Sequence, residues 1–128
     1  MSDMNAMRIE RLQMDIVSLQ SRLTVVQKQL EELGKAREGL TKVKDEADGE
    51  KHLVSNPELN HEVTRGKETA KHRERRASVM SDYKKLVACI GSMIFLIDQK
   101  MVSLATEGSG YMTSISSKKN LVSELKKS

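Results

Sequence analysis

The sequence predicts an all-α fold, a long antiparallel two-helix hairpin of coiled-coil type with a flexible C-terminal tail. Three observations predict it. The first is an apolar row, Ile9, Leu12, Ile16, Leu19, Leu23, Val26, Leu30 and Leu33, followed by Leu40. The second is a later row, Met80, Tyr83, Val87, Ile90, Ile94, Ile97, Met101 and Leu104. Alternating steps of three and four keep each row on one side of an α-helix, and such a seam must pack on another helix. The third is the polar stretch between the rows, which holds the only proline, Pro57.

Taken in order, the first helix is expected over about residues 4–48, with Asp3 or Asn5 as N-cap. Gly34 and Gly39 lie inside it, and a mid-helix glycine costs about 1 kcal/mol against alanine. Bending is therefore expected in its last third, where the row thins to Leu40 and Val43. Gly49 is a natural stop. A turn over residues 49–60 follows, GEKHLVSNPELN, in which Asn56 caps and Pro57 takes the first helical position.

The second helix is expected over about residues 57–106. Its first half, residues 60–78, has almost no apolar side chains. Gly108-Ser109-Gly110 then weakens the helix, which divides the chain into a hairpin, 1–106, and a flexible or weakly helical tail, 107–128. Tyr111, Ile115, Val122 and Leu125 keep the phase of the seam. A hairpin centred near Ser55 nevertheless leaves them overhanging the N-terminus with nothing to pack on.

Composition narrows the possibilities. A chain of 128 residues without Trp, with one Phe and two Tyr, is one domain with no thick aromatic core. A net charge of +4 suits solubility and does not by itself imply nucleic acid. The lone cysteine, Cys89, cannot form an intrachain disulfide. It sits in an apolar run and is expected to be a small buried residue rather than a reactive thiol. The N-terminal MSDMNAMRIERLQ has no apolar core of the secretory type. The most apolar run, Leu86–Ile97, rises about 18 Å as a helix, short of the ~30 Å bilayer interior. A cytoplasmic protein with no membrane insertion is expected.

The second helix carries more apolar surface than one partner helix can cover. Beside its seam lie Val79, Leu86 and Met93, with Cys89, Phe95, Leu96 and Val102 nearby. Between Leu86 and Ile97 only Ser92 is polar. A helix apolar on most sides is buried on most sides, so these seven residues form the candidate partner-binding surface, for another protein or for self-association. The competing account is a first helix that wraps wider there, through Met14, Val17 and Val25.

Catalytic and metal signatures are missing from the sequence. His52, His61 and His72 form no ligand pair at helical spacing. Gly108-Ser109-Gly110 lacks the lysine and hydroxyl residue of a phosphate loop. Cys89 has no activating neighbour. No enzyme and no cofactor are expected. Arg65, Lys67, Lys71, Arg73, Arg75 and Arg76 are interrupted by Glu62, Glu68 and Glu74 with no aromatic interleaved, which describes a solvated face rather than a nucleic-acid site.

A polar turn, a glycine, then HRERRASVMSDYKKL and Ile/Leu heptads ending IDQKM, together with the opening RIERLQMDIVSLQSRLTVVQKQLEEL, resemble the YwqH-like family over roughly residues 6–105. These are small helical-hairpin proteins of Gram-positive bacteria, encoded beside LXG-type toxins of the type VII secretion system. The family's turn carries Trp-x-Gly. Here Thr64-Arg65-Gly66 stands at that place, so the glycine matches and the tryptophan does not.

The resemblance implies a non-catalytic targeting factor or chaperone that binds the helical N-terminal region of an LXG-type toxin for export. A second small helical hairpin protein would join as a further partner. A bipartite Tyr-x-x-x-Asp/Glu export signal is not matched: Tyr83 is followed by Val87 and Tyr111 by Ile115 at the required step. The chain is thus expected in the bacterial cytoplasm, with co-secretion alongside its client as the variant. The alternative function is a homo-oligomeric structural coiled coil without a toxin client.

Overall fold

The computed structural model describes residues 2–55 and 67–128. They form two helices, α1 (Asp3–Ser55) and α2 (Lys67–Lys127), in an all-α hairpin, and no strand occurs among the described residues. Residues 56–66 lie outside the described set, and with them the expected Asn56-Pro57 helix start and the last five residues of the expected turn, 56–60, whereas its first seven, 49–55, are helix.

The N-cap is Ser2, one residue before Asp3 and three before Asn5, the expected candidates. Its Oγ accepts a hydrogen bond from the Asn5 amide at 3.1 Å, and its carbonyl accepts from Ala6 N at 3.0 Å. Asp3 falls in the first turn, where its charge favours the helix dipole. α1 does not stop at Gly49 but continues to Ser55. Each glycine costs about 1 kcal/mol, and good helix formers on both sides of Gly34, Gly39 and Gly49 carry the helix across.

The chain forms two compact units, Met1–Gly34 with Asp98–Ser128, and Lys35–Ile97. In the first unit Ile9, Ile16, Ile115 and Val122 are buried together, with Leu12, Leu19, Leu23 and Leu125 packed against them. The expected flexible tail is therefore helix and core. Its register explains why. Lys118 Nζ lies 3.6 Å from Asp15 Oδ2, and Asn5 Nδ2 donates to Ser128 Oγ at 3.2 Å. These pairs are nearly equidistant along the chain from Lys67, not from Ser55. Misplacing the centre shifted every expected partner by roughly three heptads and left the tail without one.

The expected break at Gly108-Ser109-Gly110 is also absent. The α2 seam runs on from Leu104 through Gly108, Tyr111, Ile115, Lys118, Val122 and Leu125 in unbroken steps of four and three. Gly108 is buried in that seam. A Cβ there would stand 3.3 Å from Val26 Cγ1 and 3.6 Å from Leu23 Cδ1. The missing side chain lets the helices approach closely at this point.

Gly39 is the opposite case, with nothing within 4 Å of an added Cβ. Gly39→Ala is expected to stabilise the chain by about 0.5–1 kcal/mol through helix propensity. Gly108→Leu is expected to destabilise it by about 1–3 kcal/mol through overpacking. Thermal unfolding of the two variants, followed by circular dichroism, checks both signs.

Among the described residues of the second unit, Ala47 and Ile90 are the buried hydrophobic ones. Half-buried Leu40, Lys44, Met80, Val87 and Ile94 continue the two seams. The Tyr83 hydroxyl donates to Glu50 Oε2 at 2.8 Å. This bond holds the neutral phenol and raises the Tyr83 pKa above the usual tyrosine value, with desolvation and the Glu50 charge acting in the same direction.

In the first unit the Tyr111 hydroxyl donates to Glu107 Oε1 at 2.7 Å, with the same consequence for Tyr111. A raised folded value means that each tyrosine's contribution is present in neutral solution and is lost as pH rises through that value. An absorbance titration is expected to place both tyrosines above a denatured control. Glu50→Ala should return Tyr83 towards the usual value and leave Tyr111 where it was.

Candidate functional site

The surface begins with what the heptad leaves over. On α2 in the second unit, Val79, Leu86, Cys89, Met93, Phe95 and Leu96 are all exposed, Phe95 at 60% and Leu96 at 62%. In the first unit Val102 is exposed as well. Thr64 and Gly66, the expected hairpin-turn motif, lie outside the described residues.

Cys89 corrects an expectation. It is exposed rather than buried, because it stands one residue before the seam residue Ile90 and so turns away from α1. The competing account of the apolar excess, a wider α1 face, has no support. Met14, Val17 and Val25, which that face would use, are themselves exposed.

The exposed residues are ordered. Leu86, Cys89, Met93 and Leu96 are separated by steps of three, four and three, the spacing of a coiled-coil seam. At about 103° per residue this second row lies roughly 100° around α2 from the first. Phe95 lies on a different side. A side chain row of this spacing offers knobs and holes to one more helix, and it contains no charged group to desolvate. Around it stand Asp82, Lys84 and Lys85, all exposed.

Other features offer less chemistry. Among the described residues no group of three His, Cys, Asp or Glu could hold a metal ion. His72 is exposed; His52 and His61 have no described side-chain environment. Arg73 and Arg75 are exposed beside exposed Glu74. Among the described residues, and by length and composition alone, α2 is the one helix long and apolar enough to cross a membrane, and little of that stretch is buried. It includes the same unburied apolar surface.

Sequence reasoning missed one feature of the first unit. Met4, Met7 and Met14 are exposed on α1, and Met4 and Met7 line a shallow depression of about 200 Å³ with Arg8 and Arg11. The signal was the abundance of Met, eight in the chain. Its spacing off the seam could have separated these residues from core filling.

Compared with known proteins, residues 7–127 match the family model described as YwqH-like, which takes in the C-terminal segment as well as both seams. No curated protein and no solved structure matches the chain.

Proposed function

From its membership of the YwqH-like family, to which this chain belongs, we propose that it is a non-catalytic targeting factor or chaperone for an LXG-type toxin. It acts by packing its exposed α2 surface on the helical N-terminal region of that toxin, for export by a type VII secretion system. A second small helical hairpin protein completes the assembly. The site of action is the bacterial cytoplasm, up to delivery of the client.

One observation carries the reading: the unpartnered row Leu86, Cys89, Met93 and Leu96, exposed in the chain alone. Burial of apolar surface drives association, and steps of three and four select a helix as the occupant. A toxin segment that is itself helical and apolar along one side fits these requirements. Since the chain carries no Tyr-x-x-x-Asp/Glu signal of its own, the complex rather than the chain presents the export signal.

The test is co-expression with the N-terminal region of the LXG toxin encoded beside this chain. Co-elution of the two as one species on size exclusion is the expected result. Separate elution from every co-encoded LXG region, with or without the second small protein, would end the proposal. Vesicle flotation run in parallel separates the membrane alternative, since partition of the isolated chain into vesicles would assign the apolar stretch to lipid.

A further inference from the structure

A second unpartnered surface lies wholly within the first unit, on α1. Met4, Met7, Arg11 and Met14 are separated by steps of three, four and three, and all are exposed. At about 100° per residue this row stands roughly 150° around α1 from Ile9, Leu12 and Ile16, away from the core those residues form.

Charge is sorted between the two borders of the row. Arg8 stands on one border, and Arg11 lies on that same side of Met7 and Met14; Asp3 and Glu10 stand on the other border. Asp15, on the arginine side, is engaged by Lys118 at 3.6 Å. Among the described residues neither Arg8 nor Arg11 forms an ion pair. Two uncommitted guanidiniums three residues apart therefore border the exposed methionines, and with Met4 and Met7 they line the shallow depression of this unit.

The geometry points to an amphipathic helix of another protein as the occupant of this row, one that carries carboxylates along the edge facing Arg8 and Arg11. The three-four spacing receives the side chains of a helix, and unbranched methionines adapt to their shapes. Burial of the methionines drives the association. The charge pattern then chooses among apolar helices. A guanidinium takes a carboxylate through two parallel hydrogen bonds, whereas a basic or uncharged edge leaves both arginines unmatched.

An anionic bilayer fits the surface less well. It presents one sign of charge, so it would meet Asp3 and Glu10 together with the arginines. The row also has no aromatic side chain of the kind that settles at a membrane interface. The surface shares no residue with the α2 row, so the inference does not rest on the toxin reading.

The test uses the full chain and a labelled synthetic helix with a leucine seam, edged by two glutamates three residues apart. Its counterparts carry glutamine or lysine at those two places. Fluorescence anisotropy is expected to show the glutamate peptide binding about tenfold or more tightly than the glutamine peptide, with a difference that shrinks as salt rises. Arg8→Glu with Arg11→Glu, at two exposed positions, should reverse the order so that the lysine peptide binds best. Leu96→Asp should leave the glutamate preference unchanged, which separates this site from the α2 row. Circular dichroism checks that each variant is folded. Equal binding of the glutamate and glutamine peptides, or a preference that survives the arginine reversal, overturns the inference. So does flotation of the chain with phosphatidylglycerol vesicles that the arginine reversal abolishes, because lipid would then be the occupant.

Discussion

Leu96→Asp is expected to abolish binding of the toxin N-terminal region while leaving the fold intact. Leu96 is 62% exposed in the chain alone, so the new carboxylate stays in water and the helix keeps its content. In the complex the same carboxylate would be buried against an apolar helix. An uncompensated charge there costs several kcal/mol, and about 3 kcal/mol already corresponds to a hundredfold loss of affinity.

Ile90→Asp is the control. Ile90 is 4% exposed and lies in the seam against α1, so this variant is expected to lose helix content and thermal stability before any partner is added. Calorimetric titration with the toxin region, beside circular dichroism of each variant, separates the two effects. Undiminished binding by a folded Leu96→Asp chain would remove the α2 surface from the proposed interface.

Deleting residues 107–128 is expected to unfold the first unit. The segment supplies Ile115, Val122 and Leu125 to the core that buries Ile9 and Ile16. Without it the N-terminal half of α1 presents its seam to water, and a lone helix gains little stability from propensity. Ile115→Ala gives the graded version, with an expected cost of about 2–5 kcal/mol for a buried isoleucine truncation. Amide exchange should show strong protection across residues 111–125 in the intact chain and lose it throughout α1 up to Gly34 in the deletion. Retained protection of residues 9–26 after deletion would mean that α1 is held by something other than the C-terminal segment.

The same segment shows where sequence reasoning stopped. Its phase was legible: Tyr111, Ile115, Val122 and Leu125 continue the seam. Its state was not, because two arguments pointed the other way. Glycine at 108 and 110 reads as a helix breaker when only propensity is weighed. Against α1, Gly108 instead becomes the point of close approach, a stabilising role that depends on Val26 and Leu23 across the interface. The overhang followed from placing the turn at Pro57, the strongest local breaker. A heptad pattern fixes which side of a helix is buried but leaves register free in steps of seven, since every shift by one heptad preserves the pattern.

The candidate surface divides in the same way. That α2 carries apolar side chains beyond one seam was readable from their spacing, and Val79, Leu86, Met93, Phe95, Leu96 and Val102 are all exposed. Whether α1 wraps wide enough to cover them was not readable, because coverage depends on how the two helices face each other. Cys89 shows the difference. An apolar neighbourhood in sequence suggested burial, while its place one residue off the seam put it in solvent.

By itself the sequence determined the all-α class, the two seams and the residues that line them, because a three-four repeat is a local property of one helix. Only the tertiary structure decided the partners. It paired Asp15 with Lys118 and Val26 with Gly108, turned the C-terminal segment from tail into core, and left one row of α2 uncovered. Those outcomes depend on contacts between residues far apart in the chain, and the periodicity of either helix taken alone does not contain them.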